Sequence, residues 1–114
     1  MSGHKVQRVS EDIKRELTAI LRELKDFRVK DSLISIVRIE LSNDLSFCKV
    51  YVSAMEGLEK AKLAVEGLKS ASGYIKHQLG LRLDIRHIPT LKFIATDSIE
   101  YSAHISKVLN HLKG

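Results

Sequence analysis

Val6, Val9, Ile13, Leu17, Ile20, Leu21, Leu24 and Phe27 recur at intervals of three and four residues. That spacing predicts an amphipathic helix over about residues 6–26, with these side chains forming the buried stripe. Its polar face carries Arg8, Lys14, Arg15, Arg22 and Lys25. The acids Glu11, Asp12, Glu16, Glu23 and Asp26 alternate with them, so part of this face is expected to be paired surface.

The period then changes to two. Residues Ile34–Ser42 are rich in β-branched side chains and read as a strand. Strict alternation puts Val37, Ile39 and Leu41 on one face and Ile36, Arg38 and Glu40 on the other. Ser42-Asn43-Asp44 supplies turn chemistry, since Asn and Asp accept left-handed backbone angles. A second strand, from Leu45 to about Ala54, completes a hairpin, with Cys48, Val50, Val52 and Ala54 on one side and Phe47, Lys49, Tyr51 and Ser53 on the other. Cys48 is therefore expected to be a buried, inert thiol, since the adjacent Lys49 points to the opposite face.

Helical spacing returns after Met55-Glu56-Gly57. Leu58, Ala61, Val65, Leu68, Ser72, Ile75 and Leu79 form one stripe, but Gly73 interrupts it and small Ala71 and Ser72 precede the interruption. A mid-helix glycine costs about 1 kcal/mol relative to alanine. The pattern predicts helix, break, helix, with two compatible reasons for Gly73: a side chain there would clash where the helices pack at an angle, or the exposed amides that start the second helix meet phosphate. Gly80 is a candidate stop, and Pro89 opens a third strand in which Leu91, Phe93 and Ala95 alternate with Lys92 and Ile94. Asp97 and Glu100 resemble a capping box before a final helix carrying Ile99, Ser102, Ile105, Leu109 and Leu112. A third strand that follows a helical crossover is expected to lie parallel to its neighbour. The fold class expected is α+β: a three-stranded mixed sheet covered by helices on one face, forming one domain over residues 1–114.

Charge sharpens this picture. The formal net charge is +5, but it is unevenly placed. Residues 60–92 hold seven Lys and Arg against two Asp and Glu, whereas residues 31–59 hold two against five. Lys62, Lys69 and Lys76 follow one another at intervals of seven along the interrupted helix, and Arg82, Arg86 and Lys92 continue the run. Such a concentration favours phosphate-rich partners through counterion release. Lys62 and Lys69 have Glu59 and Glu66 at helical spacing; Lys76 has no acid three or four residues away.

Other chemistries find little support. The five histidines (His4, His77, His87, His104, His111) are scattered, without the spacing of a zinc site. No phosphate-binding P-loop or nucleophile elbow is present. No apolar run approaches the roughly 18–20 residues of a membrane span, and the first residues lack the apolar stretch of a secretion signal. One cysteine, Cys48, suits a reducing, cytoplasmic setting. The expectation is a cytoplasmic protein with no cofactor, metal or catalytic residue.

An α-β-β-α-α-β order with a break between its central helices resembles the type II KH domain, a reader of single-stranded RNA. KH domains clamp RNA with a GXXG loop at that break, and this chain has Ala71-Ser72-Gly73 there instead. That replacement, with Arg8-Val9, Ser42-Asn43-Asp44-Leu45, Lys49-Val50-Tyr51-Val52, Tyr74-Ile75-Lys76 and Arg86-x-x-Pro89-x-Leu91-x-Phe93, resembles the bacterial ribosome-binding factor A family over nearly the whole chain. Departures are local. The family often has Asp-Pro-Arg where this chain has Asp26-Phe27-Arg28, and an acid where it has Thr96. The long charged C-terminal extension of some members is not expected here.

The resemblance implies a monomeric, non-catalytic factor that binds the free, immature small ribosomal subunit and its ribosomal RNA. Its relatives support late maturation, including 5′-end processing, matter most in the cold, and leave with help from an assembly GTPase. The expected RNA contacts are Lys76, Arg82 and Arg86, extended by Lys62, Lys69, Lys92, Arg8 and Arg28, around the helix-kink motif Ala71, Ser72 and Gly73. Tyr74 could stack on a base or pack on the core. The rival is a KH-like module that docks a partner chain without RNA, through strand residues such as Ile36, Phe47, Tyr51 and Ile94.

Overall fold

In the computed structural model, which describes residues 2–30 and 33–97, the first helix, α1, spans Ser2–Glu23. Val9, Ile13, Leu17, Ile20 and Leu21 are buried along one side of it, as the spacing requires. The helix stops short of residue 26. Leu24 closes it with a tight bond from its N–H to Leu21 O (3.3 Å), and Asp26 starts a one-turn helix, α2 (Phe27–Lys30). Asp26 Oδ1 accepts the Arg28 N–H at 2.9 Å, and Asp26 O accepts those of Val29 and Lys30 at 3.0 and 2.9 Å. This capping turns the chain, so Phe27 leaves the predicted stripe and is 69% exposed, while Val29 takes the buried place.

Strand β1 (Ile34–Leu41) pairs antiparallel with β2 (Phe47–Ala54), and β2 pairs parallel with β3 (Thr90–Ala95), giving the order β1-β2-β3. The hairpin and the parallel third strand match the expected mixed sheet. The faces of β1 do not follow strict alternation. Ile36 stands opposite Val52 and Arg38 opposite Tyr51, so Val37 is an extra residue in a β-bulge. The bulge changes the phase of the strand. Ile36 is buried rather than outward, and beyond the bulge Ile39 and Leu41 still pack against the core.

The hairpin turn is held by side chains. Asp44 Oδ1 accepts the Ser42 hydroxyl (2.8 Å), the Ser46 hydroxyl (2.7 Å) and the Ser46 N–H (3.1 Å). These donors hold the Asp44 carboxyl below its ordinary value. The left-handed residue is Leu45 (φ 64°), neither Asn43 nor Asp44.

Helix α3 (Leu58–Ser70) follows Gly57, whose φ of 111° favours glycine. Helix α4 (Ser72–Arg82) runs past Gly80. The break is Ala71, at φ −97° and ψ 9°, whose N–H bonds Gly67 O and Leu68 O (both 3.1 Å) while its own carbonyl accepts Ile75 N–H (2.9 Å). Gly73 is helical and exposed, and a β-carbon there would meet nothing within 4 Å. Its proposed steric reason is thereby overturned. Ser72 is likewise exposed rather than part of the buried stripe.

The helices bury Leu68, Ile75 and Leu79 with Ile13, Leu17 and Ile20 of α1 against Cys48, Val50, Val52 and Phe93 of the sheet. Burial pushes the Cys48 thiol up to about 12, which keeps it protonated and inert. The final helix read from the sequence, with the Asp97–Glu100 capping box, lies outside the described residues.

Candidate nucleic-acid interface

The eight predicted cations divide into those that hold the fold and those that remain available. Arg82 Nη2 lies 2.8 Å from Glu23 Oε1, and its Nη1 lies 3.7 Å from Glu16 Oε1, joining the end of α4 to α1. These hydrogen bonds, Glu23 first, raise the Arg82 pKa. Arg28 is also engaged. Its Nη2 meets Asp26 Oδ2 at 2.7 Å and donates to Ser70 Oγ at 3.3 Å, tying α2 to the end of α3 beside the break. Lys62 pairs with Glu59 at 3.5 Å on the exposed flank of α3.

Lys69, Lys76, Arg86, Lys92 and Arg8 are exposed, and none has an ion-pair partner among the described residues. Lys69 precedes the break and Lys76 follows it on α4. Arg86 lies in the segment between α4 and β3. Tyr74, one residue beyond Gly73, is 48% exposed, so its ring is available beside the same break. Short surface pairs account for much of α1: Arg15 bonds Asp12 at 3.1 Å and Glu16 at 3.3 Å, as the alternating acids suggested.

Lys92 does not continue the helical cations. It stands opposite Lys49 on β2, on the face turned away from Val50 and Phe93 and therefore from the helices. The positive run in the sequence is split between two sides of the sheet. Alternation alone could not show this, because it needs the register between β2 and β3.

Two further features were not legible in the sequence. Gly67 lies so near α2 that a β-carbon would sit 2.9 Å from Val29 Cγ2 and 3.3 Å from Arg28 Cβ. Arg38 places its guanidinium 3.9 Å from the centre of the Tyr51 ring. The surface proposed for docking a partner chain also changes: Ile36 is buried, and Tyr51 is engaged by Arg38 and by its hydroxyl bond to Glu40 (3.1 Å).

Comparison with known proteins decides the family. The family model for ribosome-binding factor A matches residues 5–109. The chain belongs to the ribosome-binding factor A family. The family's protein from Caldanaerobacter subterraneus subsp. tengcongensis is 44% identical over 110 residues, covering 96% of this chain and 89% of that one. The crystal structure of ribosome-binding factor A from Thermus thermophilus superimposes with a TM-score of 0.69 at 28% identity, over 79% of this chain and 93% of that one. A homology model of the Thermus thermophilus factor, fitted into the cryo-EM map of a 30S complex of that factor, superimposes with a TM-score of 0.63 at 27% identity, over 76% and 90% of the two chains. The fold is thus the KH-like fold of ribosome-binding factor A, with Ala71-Ser72-Gly73 at its central break. Among the described residues, no helix is long and apolar enough to cross a membrane.

Proposed function

We propose that this member of the ribosome-binding factor A family is a non-catalytic assembly factor of the small ribosomal subunit. It binds the free, immature subunit in the cytoplasm through its ribosomal RNA, supports late RNA maturation including 5′-end processing, and acts as a monomer in functional linkage with an assembly GTPase. Its contribution is greatest in the cold.

The observation that carries this reading is the likeness to the relative fitted into the map of a 30S complex. The exposed cations on either side of the break supply a physical means of contact. Lys69, Lys76 and Arg86 are free to neutralise phosphates, and Arg8 on α1 is a further exposed cation. The start of α4 at Ser72 adds amide groups with the favourable end of the helix dipole. Without a GXXG loop, affinity rests on the cationic surface more than on a four-nucleotide clamp. Arg82 and Arg28 contribute by holding α4 and α2 in place.

The test is co-sedimentation of the full chain with free small subunits at near-physiological salt. The triple variant Lys69→Ala, Lys76→Ala, Arg86→Ala should bind more weakly and show a shallower dependence of log affinity on log salt, by roughly 0.7–0.9 for each phosphate no longer neutralised. Equal binding by wild type and variant across the salt series would overturn the assignment.

A further inference from the structure

The side of the sheet turned away from the helices carries an arrangement that the fold does not need. Along β2, Phe47, Lys49 and Tyr51 point outward in succession. Phe47 is 37% exposed even though it belongs to the central strand. Thr90, Lys92 and Ile94 of β3 stand opposite these three residues, and Glu40 and Arg38 of β1 stand opposite Lys49 and Tyr51. Towards the other end of β2, Ser53 is fully buried, so the accessible part of this face is the part nearest the Ser42–Ser46 turn.

The charges on this face are unbalanced in a specific way. Lys49 and Lys92 are directly opposed on neighbouring strands, an arrangement that destabilises a sheet. Glu40 is the acid opposite Lys49, yet its carboxylate is spent elsewhere: Oε2 accepts from Arg38 Nε at 3.2 Å and Oε1 from the Tyr51 hydroxyl at 3.1 Å. No ion-pair partner for either lysine exists among the described residues. Lys49 therefore stands between Phe47 and Tyr51 along β2, with Lys92 beside it on β3. Arg38 lies over that tyrosine ring at 3.9 Å and holds its orientation.

We propose that this outer face, built on Phe47, Lys49, Tyr51 and Lys92 with Arg38, is a second RNA surface, which takes a short single-stranded segment with splayed bases. It rests on the RNA-binding reading above, but lies on the opposite side of the sheet from the helical cations. Phe47 and the exposed Arg38 guanidinium held over Tyr51 present flat groups for bases to stack on, and the Lys49–Lys92 pair takes the phosphate between them. Phe47 and Tyr51 are four residues apart on one strand, about 13 Å at about 3.3 Å per residue, which leaves room for the backbone between two stacked bases. A duplex cannot use the site because its bases are already stacked. A protein partner would leave the same lysine pair unneutralised unless it brought acids; an RNA strand brings phosphates and ring faces together.

The experiment uses the full chain and a fluorescein-labelled twelve-nucleotide oligouridylate, followed by anisotropy over a salt series. The double variant Lys49→Gln, Lys92→Gln should bind at least about fivefold more weakly, and the slope of log affinity against log salt should fall by roughly 0.7, for the one phosphate that the pair neutralises. The same variant should melt at a higher temperature, since it relieves the like-charge pair. Phe47→Ser should lose about fivefold or more through stacking. Ultraviolet crosslinking to the oligouridylate should label the peptide containing Phe47 and Tyr51. Unlabelled single strand should compete, and a twelve-base-pair RNA duplex should not.

Wild-type-like binding by the lysine variant, crosslinks confined to α3 and α4, or equal competition by duplex would each overturn the proposal. So would failure of the wild-type chain to bind the oligouridylate, which would leave this face to a protein partner. The helical variant Lys69→Ala, Lys76→Ala, Arg86→Ala serves as the control. It should lose small-subunit binding while keeping most oligouridylate binding, so the failure of one reading is distinguishable from the failure of the other.

Discussion

Gly67 on α3 faces Val29 on α2 at a distance that admits no further carbon: a β-carbon on Gly67 would lie 2.9 Å from Val29 Cγ2. Val29 is buried and β-branched, so it has little freedom to retreat. Asp26 Cγ and Arg28 Cβ, each 3.3 Å away, close the other sides. This contact seats the Asp26–Lys30 turn on α3, next to the break.

Gly67→Ala should therefore destabilise the fold. Overpacking costs about 1–3 kcal/mol, and the gain of about 1 kcal/mol in helix propensity offsets only part of it. Gly73→Ala should do the reverse and stabilise by up to about 1 kcal/mol, because Gly73 is helical with open space around it. Urea denaturation of the two variants checks the opposite signs. If Gly73→Ala is more stable yet binds small subunits less well, the family's glycine is there for close approach of RNA to the backbone.

Phe27 is the first residue of α2, exposed, and follows the capping Asp26. The first helical position needs no intrahelical amide partner and suits proline. Phe27→Pro, which restores the Asp-Pro-Arg common in the family, should leave the structure unchanged and stabilise it by about 0.4–1 kcal/mol. Thermal unfolding with a far-ultraviolet circular dichroism control measures it; a lowered Tm would show that the phenyl ring supports the fold.

Arg82 and Glu23 form an ion pair between α4 and α1, beside the buried packing of the two helices. Arg82→Ala should lower the Tm modestly, as should Glu23→Ala, and the double variant should lose less than the sum of the two. A reduction in small-subunit binding by Arg82→Ala should be mirrored in part by Glu23→Ala, which removes no positive charge. A direct phosphate contact would instead make Glu23→Ala neutral or favourable to binding.

Acid should weaken the hairpin turn and the α2 cap. The Ser46 and Ser42 donors hold Asp44 below its ordinary value, and the Arg28 side chain and amide do the same for Asp26. A carboxyl with a depressed folded-state pKa binds protons more readily when unfolded. Its stabilisation is therefore present above the ordinary aspartate value of about 3.9 and is lost as pH falls through the depressed values. Stability measured by urea titration should be flat between about pH 5 and 7 with respect to these two groups and fall below about pH 4. Asp44→Asn should reduce that fall.

Apart from the one-turn α2, the hydrophobic period by itself determined the order of the described elements, the buried side of β2 and the break between α3 and α4, and with the crossover rule the mixed sheet. These depend on local spacing, which a linear chain displays directly. The tertiary structure alone decided the rest. The Val37 bulge shifted the phase of β1 and buried Ile36, because strand facing depends on pairing with β2 and not on alternation within β1. The Asp26 cap redirected Phe27 to solvent. Most consequentially, a single basic run in the sequence became four groups: Arg82, spent on α1; Lys62, paired with Glu59; Lys69, Lys76 and Arg86, free on the helical side and its adjoining segment; and Lys92, opposed to Lys49 on the far face of the sheet. Charge can be counted along a chain, but availability depends on which acids the fold brings within reach and which face the register selects.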